Sequence, residues 1–141
     1  MITYSYLDHD DAAKYYSVEF HPIVKEIMNK INDDFGYELD VCFLNLYMDQ
    51  SNALGWHADD SHTIDQNQPI AVVSFGAERE IWIKSKGDKG EVPSENRQLL
   101  KNGSLYVMPA GFQSEWLHKI PKCDKICGPR VSLTFRKFLS K

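Results

Sequence analysis

RVSLTFR, residues 130–136, is the stretch that indicates the fold most clearly, because its residues alternate in polarity with the period of a β-strand. One face is apolar, and the other carries the polar side chains of Arg130, Ser132, Thr134 and Arg136. Two guanidinium groups with hydroxyls between them match the geometry of carboxylates, so this face is suited to a dicarboxylic acid. A solvated outer face, with its charges in water, is the alternative that the pattern leaves open.

Upstream of this stretch, the chain after Gly36 is a series of short segments rich in β-branched and aromatic residues. Turn signals such as Asn102-Gly103 and Gly128-Pro129 separate them. The predicted strands are 41–48, 70–75, 81–84, 104–108, 115–120 and 131–138. Many short strands at close spacing favour an antiparallel sandwich, most simply a jelly roll, whose mouth can hold a ligand.

The region before the strands is predicted to be helical. Residues 21–35 carry an apolar stripe at helical spacing, with Pro22 suited to the first turn and Gly36 to the end. Residues 8–16 are predicted as a shorter helix. No linker divides the 141 residues, so we expect one domain over 1–141, with a helical and lid region at 1–40 and a jelly-roll core at 41–138.

LGWHADDSH, residues 54–62, contains a His and an Asp two positions apart. In an extended strand, positions i and i+2 point to the same side, so His57 and Asp59 would direct an imidazole and a carboxylate at a common point. Such a pair can coordinate a divalent metal if a third ligand comes from elsewhere. A surface His beside an acidic turn is the alternative reading.

The other histidines are the candidates for a third ligand. His9 and His21 are expected at the surface or at a helix cap, and His62 follows the pair too closely to lie on a separate strand. His118 lies in EWLHKIP, on one strand face with two large apolar neighbours, where a buried imidazole needs a partner. A backbone carbonyl or a metal would serve, and two His with one carboxylate is the ligand set of non-haem Fe(II) oxygenases.

Six segments in one order, NLY, LGWHADD, PIAVVSFGAER, GSLYVM, EWLHKIP and PRVSLTFR, resemble the AlkB family of Fe(II)- and 2-oxoglutarate-dependent dioxygenases. The resemblance covers roughly 41–138. It implies a double-stranded β-helix, a form of jelly roll, in a mainly β protein with N-terminal helices. It also implies an enzyme that uses Fe(II), 2-oxoglutarate and O₂ to demethylate N-alkylated nucleobases in DNA or RNA, releasing formaldehyde, succinate and CO₂.

The resemblance implies a role for each matching residue. His57, Asp59 and His118 would be the catalytic iron ligands. Arg130 would pair with the distal carboxylate of 2-oxoglutarate and Arg136 would lie near its keto-acid end. The remaining co-substrate contacts would be Asn45, Tyr47 and Ser132, the last at a place where family members usually carry Asn.

The substrate contacts are where the chain departs from the family. Ser61 stands where the repair enzymes commonly have a second acidic residue that reads the flipped base, so Ser61 and the neighbouring Asp60 are the predicted substrate contacts. A flipped base favours single-stranded or damaged DNA or RNA as the partner. The departure also motivates an alternative function, a 2-oxoglutarate-dependent hydroxylase of a protein side chain or a small metabolite.

Composition limits the remaining choices. The net charge of −4 does not favour a non-specific polyanion binder, although residues 117–141 hold seven Lys/Arg against one Asp. There is no apolar run of membrane-spanning length and no secretory signal, and three cysteines suit a reducing compartment. We therefore expect a cytoplasmic or nuclear monomer with no membrane association and no obligate protein partner.

Overall fold

The computed structural model describes residues 2–7 and 13–139 as two β-sheets, two α-helices and a short 3₁₀-helix at Ser94–Asn96. The larger sheet, called the major sheet, has the strand order β2-β1-β3-β10-β5-β8. All neighbouring strands in it are antiparallel except β1 and β3, which are parallel. Its strands are β1 (Ile2–Leu7), β2 (Ala13–Val18), β3 (Val41–Tyr47), β5 (Ile70–Gly76), β8 (Leu105–Met108) and β10 (Arg130–Arg136).

The smaller sheet, called the minor sheet, is fully antiparallel and has the order β4-β9-β6-β7. Its strands are β4 (Leu54–His57), β6 (Arg79–Ser85), β7 (Arg97–Leu100) and β9 (Trp116–Ile120). Buried Tyr47 of the major sheet packs with Ile81, Leu100 and Ile120 of the minor sheet, so the two sheets face each other. This two-sheet architecture confirms the predicted jelly roll.

The outer face of the major sheet is covered by α1 (Pro22–Phe35). His21 caps the helix, since its Nδ1 accepts from Ile23 N at 3.2 Å, and Gly36 ends it in the left-handed conformation at φ 71°. The buried stripe of the helix packs on the sheet residues Cys42, Ala71, Val73, Leu133 and Phe135. Full burial of a Val, Leu or Phe side chain contributes about 1.5–3 kcal/mol. With this face sealed by α1, the opposite face is left for the interior between the sheets.

The polar face of β10 is buried in that interior, so the alternative of a solvated outer face is wrong. Arg130, Ser132, Thr134 and Arg136 are all less than a tenth exposed. In the register, Arg130 lies opposite Tyr47, Ser132 opposite Asn45 and Thr134 opposite Phe43 of β3. The two central strands of the major sheet therefore turn one set of polar side chains toward the minor sheet.

The N-terminal region differs from the prediction. The helix at 21–35 is confirmed as α1, but the shorter helix at 8–16 is wrong: residues 13–18 form β2, paired with β1, and residues 8–12 lie outside the described part. The tyrosines and valine of AKYYSV suit a strand, and pairing with β1 supplies backbone hydrogen bonds. The region 1–40 therefore contains one described helix and two strands, rather than helices alone.

Strands β4 and β7 were also missed, each only four residues long. Residue 115, predicted as strand, instead ends the short helix α2 (Phe112–Glu115), directly before β9. In the part of the chain that the structure describes, no helix combines the length and apolar character required to span a bilayer.

Candidate functional site

The three predicted metal ligands meet at one point between the sheets. His57 ends β4, His118 lies opposite it on β9, and Asp59 follows in the loop after β4. One ligand atom from each of these side chains lies within 4.8 Å of those of the other two. The two imidazole rings are 4.1 Å apart, centroid to centroid. This separation allows all three to bind one ion.

His57 is held in the tautomer that a metal ligand requires. Its Nδ1 lies 2.8 Å from the carbonyl oxygen of Gly55, and because a carbonyl can only accept, Nδ1 carries the proton. Nε2 is therefore the ring atom that remains for a metal. A backbone carbonyl that orients the ring in this way is a common support for a ligating histidine.

His118 is 5% exposed, and its Nε2 faces the Asp59 carboxylate at 3.8 Å. Burial, reinforced by the neighbouring His57, lowers the pKa of His118 to about 4 although Asp59 opposes the shift. The imidazole is therefore neutral near pH 7, which is the form that binds metal. Its Nδ1 is buried without a hydrogen-bond partner among the described residues.

The Asp59 carboxylate is shared between the ligand cluster and Arg136. Arg136 Nη2 lies 2.9 Å from Oδ1, while Oδ2 faces His118. Arg136 thus reaches from the end of β10 to the ligand cluster, and it contacts a ligand directly. A charge-assisted bond of this kind fixes the orientation of the carboxylate.

Two glutamines that the sequence analysis did not identify hold the backbone of Asp59. Asp59 N donates to Gln113 Oε1 at 2.9 Å, and Gln66 Nε2 donates to the Asp59 carbonyl at 3.0 Å. Gln113 is 3% exposed and lies in α2, just before the strand that carries His118. It therefore joins two ligand-bearing segments. No spacing rule in the sequence points to it.

Arg130 occupies the other end of the polar face and is 1% exposed. Its Nη2 donates to Ser74 Oγ at 2.8 Å, whereas Nε and Nη1 have no hydrogen-bond partner among the described residues. Buried donors are normally satisfied, and a guanidinium presents them in a fork that fits a carboxylate. Ser74 could have been found from the sequence, as the only polar residue in the buried run 70–74.

Tyr47 lies between two buried guanidinium groups. The Cζ atoms of Arg130 and Arg79 are 5.1 Å and 5.3 Å from its ring centroid. Burial raises the pKa of the Tyr47 phenol, and the two arginines oppose the rise. Arg79 donates to the carbonyls of Asn52 and Pro121, both at 2.6 Å, so its guanidinium is held in position beside Tyr47.

The other predicted co-substrate contacts lie on the same polar face. Asn45 and Ser132 are paired across β3 and β10, between the level of Arg130 and that of Arg136. Ser132 is 3% exposed. Both face the interior, as the prediction required.

The predicted substrate contacts lie at the rim instead. Asp60 is exposed and its Oδ2 lies 3.3 Å from Lys86 Nζ, in the hairpin between β6 and β7. Ser61 is exposed and its hydroxyl lies 2.9 Å from Thr63 Oγ1. His62 is exposed, in agreement with its exclusion as a ligand, and His9 lies outside the described residues.

The site fits a 2-oxoglutarate-dependent iron centre on two observations. The donor set, two imidazoles and a carboxylate, is that of non-haem Fe(II) oxygenases. The free N–H groups of Arg130, buried on the same polar face, suit the carboxylate of a keto diacid. The fold and the side chains together define an oxygenase of this type.

Comparison with known proteins agrees with this class. The profile of the 2OG-Fe(II) oxygenase superfamily matches residues 2–136, and the chain belongs to that superfamily. Fe(II), 2-oxoglutarate and O₂ are the cofactor and co-substrates that fit the triad.

The similar curated proteins are members of the AlkB family, and the chain is one as well. It is 34% identical over 122 residues to human "DNA oxidative demethylase ALKBH2", covering 84% of this chain and 47% of that protein. It is 36% identical over 144 residues to the Arabidopsis thaliana protein of the same name, covering 88% and 46%. Human "Alpha-ketoglutarate-dependent dioxygenase alkB homolog 3" is 31% identical over 126 residues, covering 83% and 43%. The chain spans about half the length of these relatives.

Proposed function

We propose that this chain is an Fe(II)- and 2-oxoglutarate-dependent dioxygenase that demethylates N-alkylated bases in DNA or RNA. The observation that carries the proposal is the meeting of His57, Asp59 and His118 beside the buried face of Arg130 and Arg136. The names of the relatives, which describe oxidative demethylation of DNA, support the choice of a nucleic-acid substrate.

In this proposal His57, Asp59 and His118 hold the iron, and Arg130 anchors the distal carboxylate of 2-oxoglutarate. Ser74 keeps the Arg130 guanidinium in place, and Tyr47 stacks against it. Arg136 orients the Asp59 carboxylate near the keto-acid end. Asn45 and Ser132 line the path between the two arginines. Burial of these groups keeps water away from the co-substrate.

Held by these residues, the centre would use one O₂ to oxidise an N-methyl carbon to a hydroxymethyl group, with one oxygen atom entering that group and the other entering the succinate formed, together with CO₂, from 2-oxoglutarate. The hydroxymethyl product on nitrogen loses formaldehyde and leaves the unmodified base. The residues of the chain position both reactants, which is the protein's share of the catalysis.

The position of the site between two sheets favours bases that are already accessible. A base must leave its stack to reach a site between two sheets, which costs less in a single strand or a damaged pair. In this proposal Asp60 and Ser61 contact the base edge, and the Asp60 carboxylate is paired with Lys86 in the absence of substrate. Position 61, where the repair enzymes commonly have an acidic residue, is occupied by Ser61 in this chain. The second candidate function is therefore a 2-oxoglutarate-dependent hydroxylase of a protein side chain or a small metabolite.

Incubation with Fe(II), 2-oxoglutarate, O₂ and a panel of N-methylated single-stranded and duplex oligomers tests the proposal. We expect each product to lose the mass of one CH₂ unit, with one formaldehyde and one succinate released per event. Succinate formation with no change in any oligomer would favour the second candidate. Absence of succinate altogether would contradict both.

The proposal extends to the setting of the enzyme. We place it in the cytoplasm or nucleus, where damaged nucleic acid occurs, and as a monomer whose partner is the alkylated strand. We also propose that residues 1–40 contribute to the lid over the site and that 41–138 form the catalytic core of a single domain. The pairing of β1 with β3 supports the single domain.

A further inference from the structure

The outer face of the minor sheet carries a row of alternating aromatic and cationic side chains across all four strands. In strand order these are Trp56 on β4, Lys119 on β9, Trp82 on β6 and Arg97 on β7. Lys119 Nζ lies 5.0 Å from the Trp56 ring and 4.9 Å from the Trp82 ring, and Arg97 Cζ lies 4.3 Å from the Trp82 ring. The register pairs Trp82 with both Lys119 and Arg97. We call these four residues the Trp-cation row.

Each cation of the row lies against at least one indole ring. Lys84, on β6 beside the row, lies with its Nζ 4.5 Å from the Trp56 ring. Trp82 Nε1 donates to Glu80 Oε2 at 2.6 Å. Within residues 2–7 and 13–139, Lys84, Lys119 and Arg97 form no ion pair with a carboxylate. Long cationic side chains lose rotamer entropy when they bind, and stacking on a ring removes part of that cost beforehand.

We propose that the Trp-cation row binds the phosphodiester backbone of single-stranded DNA beside the base that enters the site. Charge complementarity supports this occupant, because the row concentrates unpaired cations on a chain whose net charge is −4. A chain that repels polyanions as a whole needs such a local contact to hold one. The inference rests on the proposed function for its substrate class.

The position of the row relative to the metal ligands fits this role. Trp56 adjoins His57 on β4, and Lys119 adjoins His118 on β9, so these two members of the row lie on the face opposite to the candidate ligand beside each in sequence. β4 is one of the two edge strands of the minor sheet. A single-stranded DNA whose flipped base enters between the sheets can therefore pass over β4 and continue across the Trp-cation row.

Binding of a labelled oligodeoxythymidine to the iron-free full chain, measured by fluorescence anisotropy at several salt concentrations, tests the inference. Lys119→Gln should raise Kd about threefold or more and reduce the slope of log K against log salt by about 0.7, one phosphate contact. Lys25→Gln, with the same charge change on the exposed face of α1, is the matched control and should leave both quantities unchanged. Adding Arg97→Gln to Lys119→Gln should double the loss of slope.

Several results would overturn the inference: no binding by the wild type, equal losses in the Lys119 and Lys25 variants, or a Lys119 effect on an oligoribonucleotide but none on DNA. Equal, Lys119-dependent binding of poly-glutamate would point to an acidic protein instead. A folded variant is confirmed by an unchanged thermal midpoint. This assay needs no turnover. A wild type that binds DNA through Lys119 but demethylates no substrate would therefore contradict the proposed function and leave the present inference intact.

Discussion

At the scale of single residues, the site is defined by buried groups whose polar atoms the protein leaves available. Arg130 has two such nitrogens and no carboxylate beside it in the described structure, an arrangement that is unfavourable unless an anion binds there. His57 and His118 instead direct their imidazoles at a common point, and the His118 imidazole is neutral near pH 7. Both features point to ligands that arrive from outside the chain.

The Arg130→Ala variant should bind 2-oxoglutarate far more weakly, because it removes the charged partner of a buried carboxylate. A loss of about 2–5 kcal/mol corresponds to a Kd raised roughly 30-fold or more. Calorimetric titration of 2-oxoglutarate into the Mn(II)-loaded protein measures it. Arg97→Ala, on the outer face, is the control and should bind normally; an unchanged affinity in Arg130→Ala would place the carboxylate elsewhere.

Gln113 is expected to act as a positioning residue for Asp59. Gln113→Leu removes the acceptor of the Asp59 N–H with little change of volume, so Mn(II) affinity should fall about 10- to 100-fold. Gln113→Glu, which keeps an acceptor at that atom, should recover most of the affinity.

General destabilisation is separated from this effect by Val73→Ala, a truncation under α1 on the opposite face of the major sheet. Its Mn(II) affinity should equal that of the wild type. If Val73→Ala lost as much affinity as Gln113→Leu, the positioning role would be refuted.

At the scale of elements, the two faces of the major sheet have different roles. Its outer face packs on α1 and supplies stability, whereas its inner face carries the polar groups of the site. The loop that bears Asp59 is tied back to the C-terminal end of the chain, with Asp65 N donating to Lys137 O and Leu139 N to Thr63 O. Stability and ligand binding should therefore be separable by mutation.

Met28→Ala on the buried stripe of α1 should lower the free energy of unfolding by about 2–5 kcal/mol, through lost burial and the cavity that remains. Denaturant titration measures the change, and Ile23→Ala, at a side chain 60% exposed, should stay within about 0.5 kcal/mol of the wild type. The Mn(II) affinity of folded Met28→Ala should be unchanged. A loss of metal binding would mean that the two faces are coupled.

At the scale of the whole molecule, the sequence alone was sufficient to predict the strands and the helix whose apolar residues follow a clear pattern. The alternation of RVSLTFR, the run at 70–75 and the capped stripe of α1 each carry their own signal, and each is found as predicted. Residues 13–18 were misassigned because their strand is stabilised by pairing with β1, a partner that no local pattern reveals.

The sequence pointed to the three candidate ligands that the fold brings together, but not to the residues that support them. H-x-D and a distant His are recognisable as residue types, whereas Gln113 and Gln66 act on backbone atoms of Asp59 and leave no characteristic spacing. The direction of the polar face of β10 was equally undecided, because alternation shows that two faces differ and not which of them is buried. The structure resolves it, because α1 covers the apolar face and the polar face is buried between the sheets.

Titration of Mn(II), a redox-silent substitute for Fe(II), into the wild type and two adjacent aspartate variants tests the shared metal site most directly. We predict one ion per chain in the wild type, loss of binding in Asp59→Ala, and binding within about threefold of the wild type in Asp60→Ala, whose carboxylate lies at the rim beside Lys86. Wild-type affinity in Asp59→Ala, or an equal loss in both variants, would contradict it.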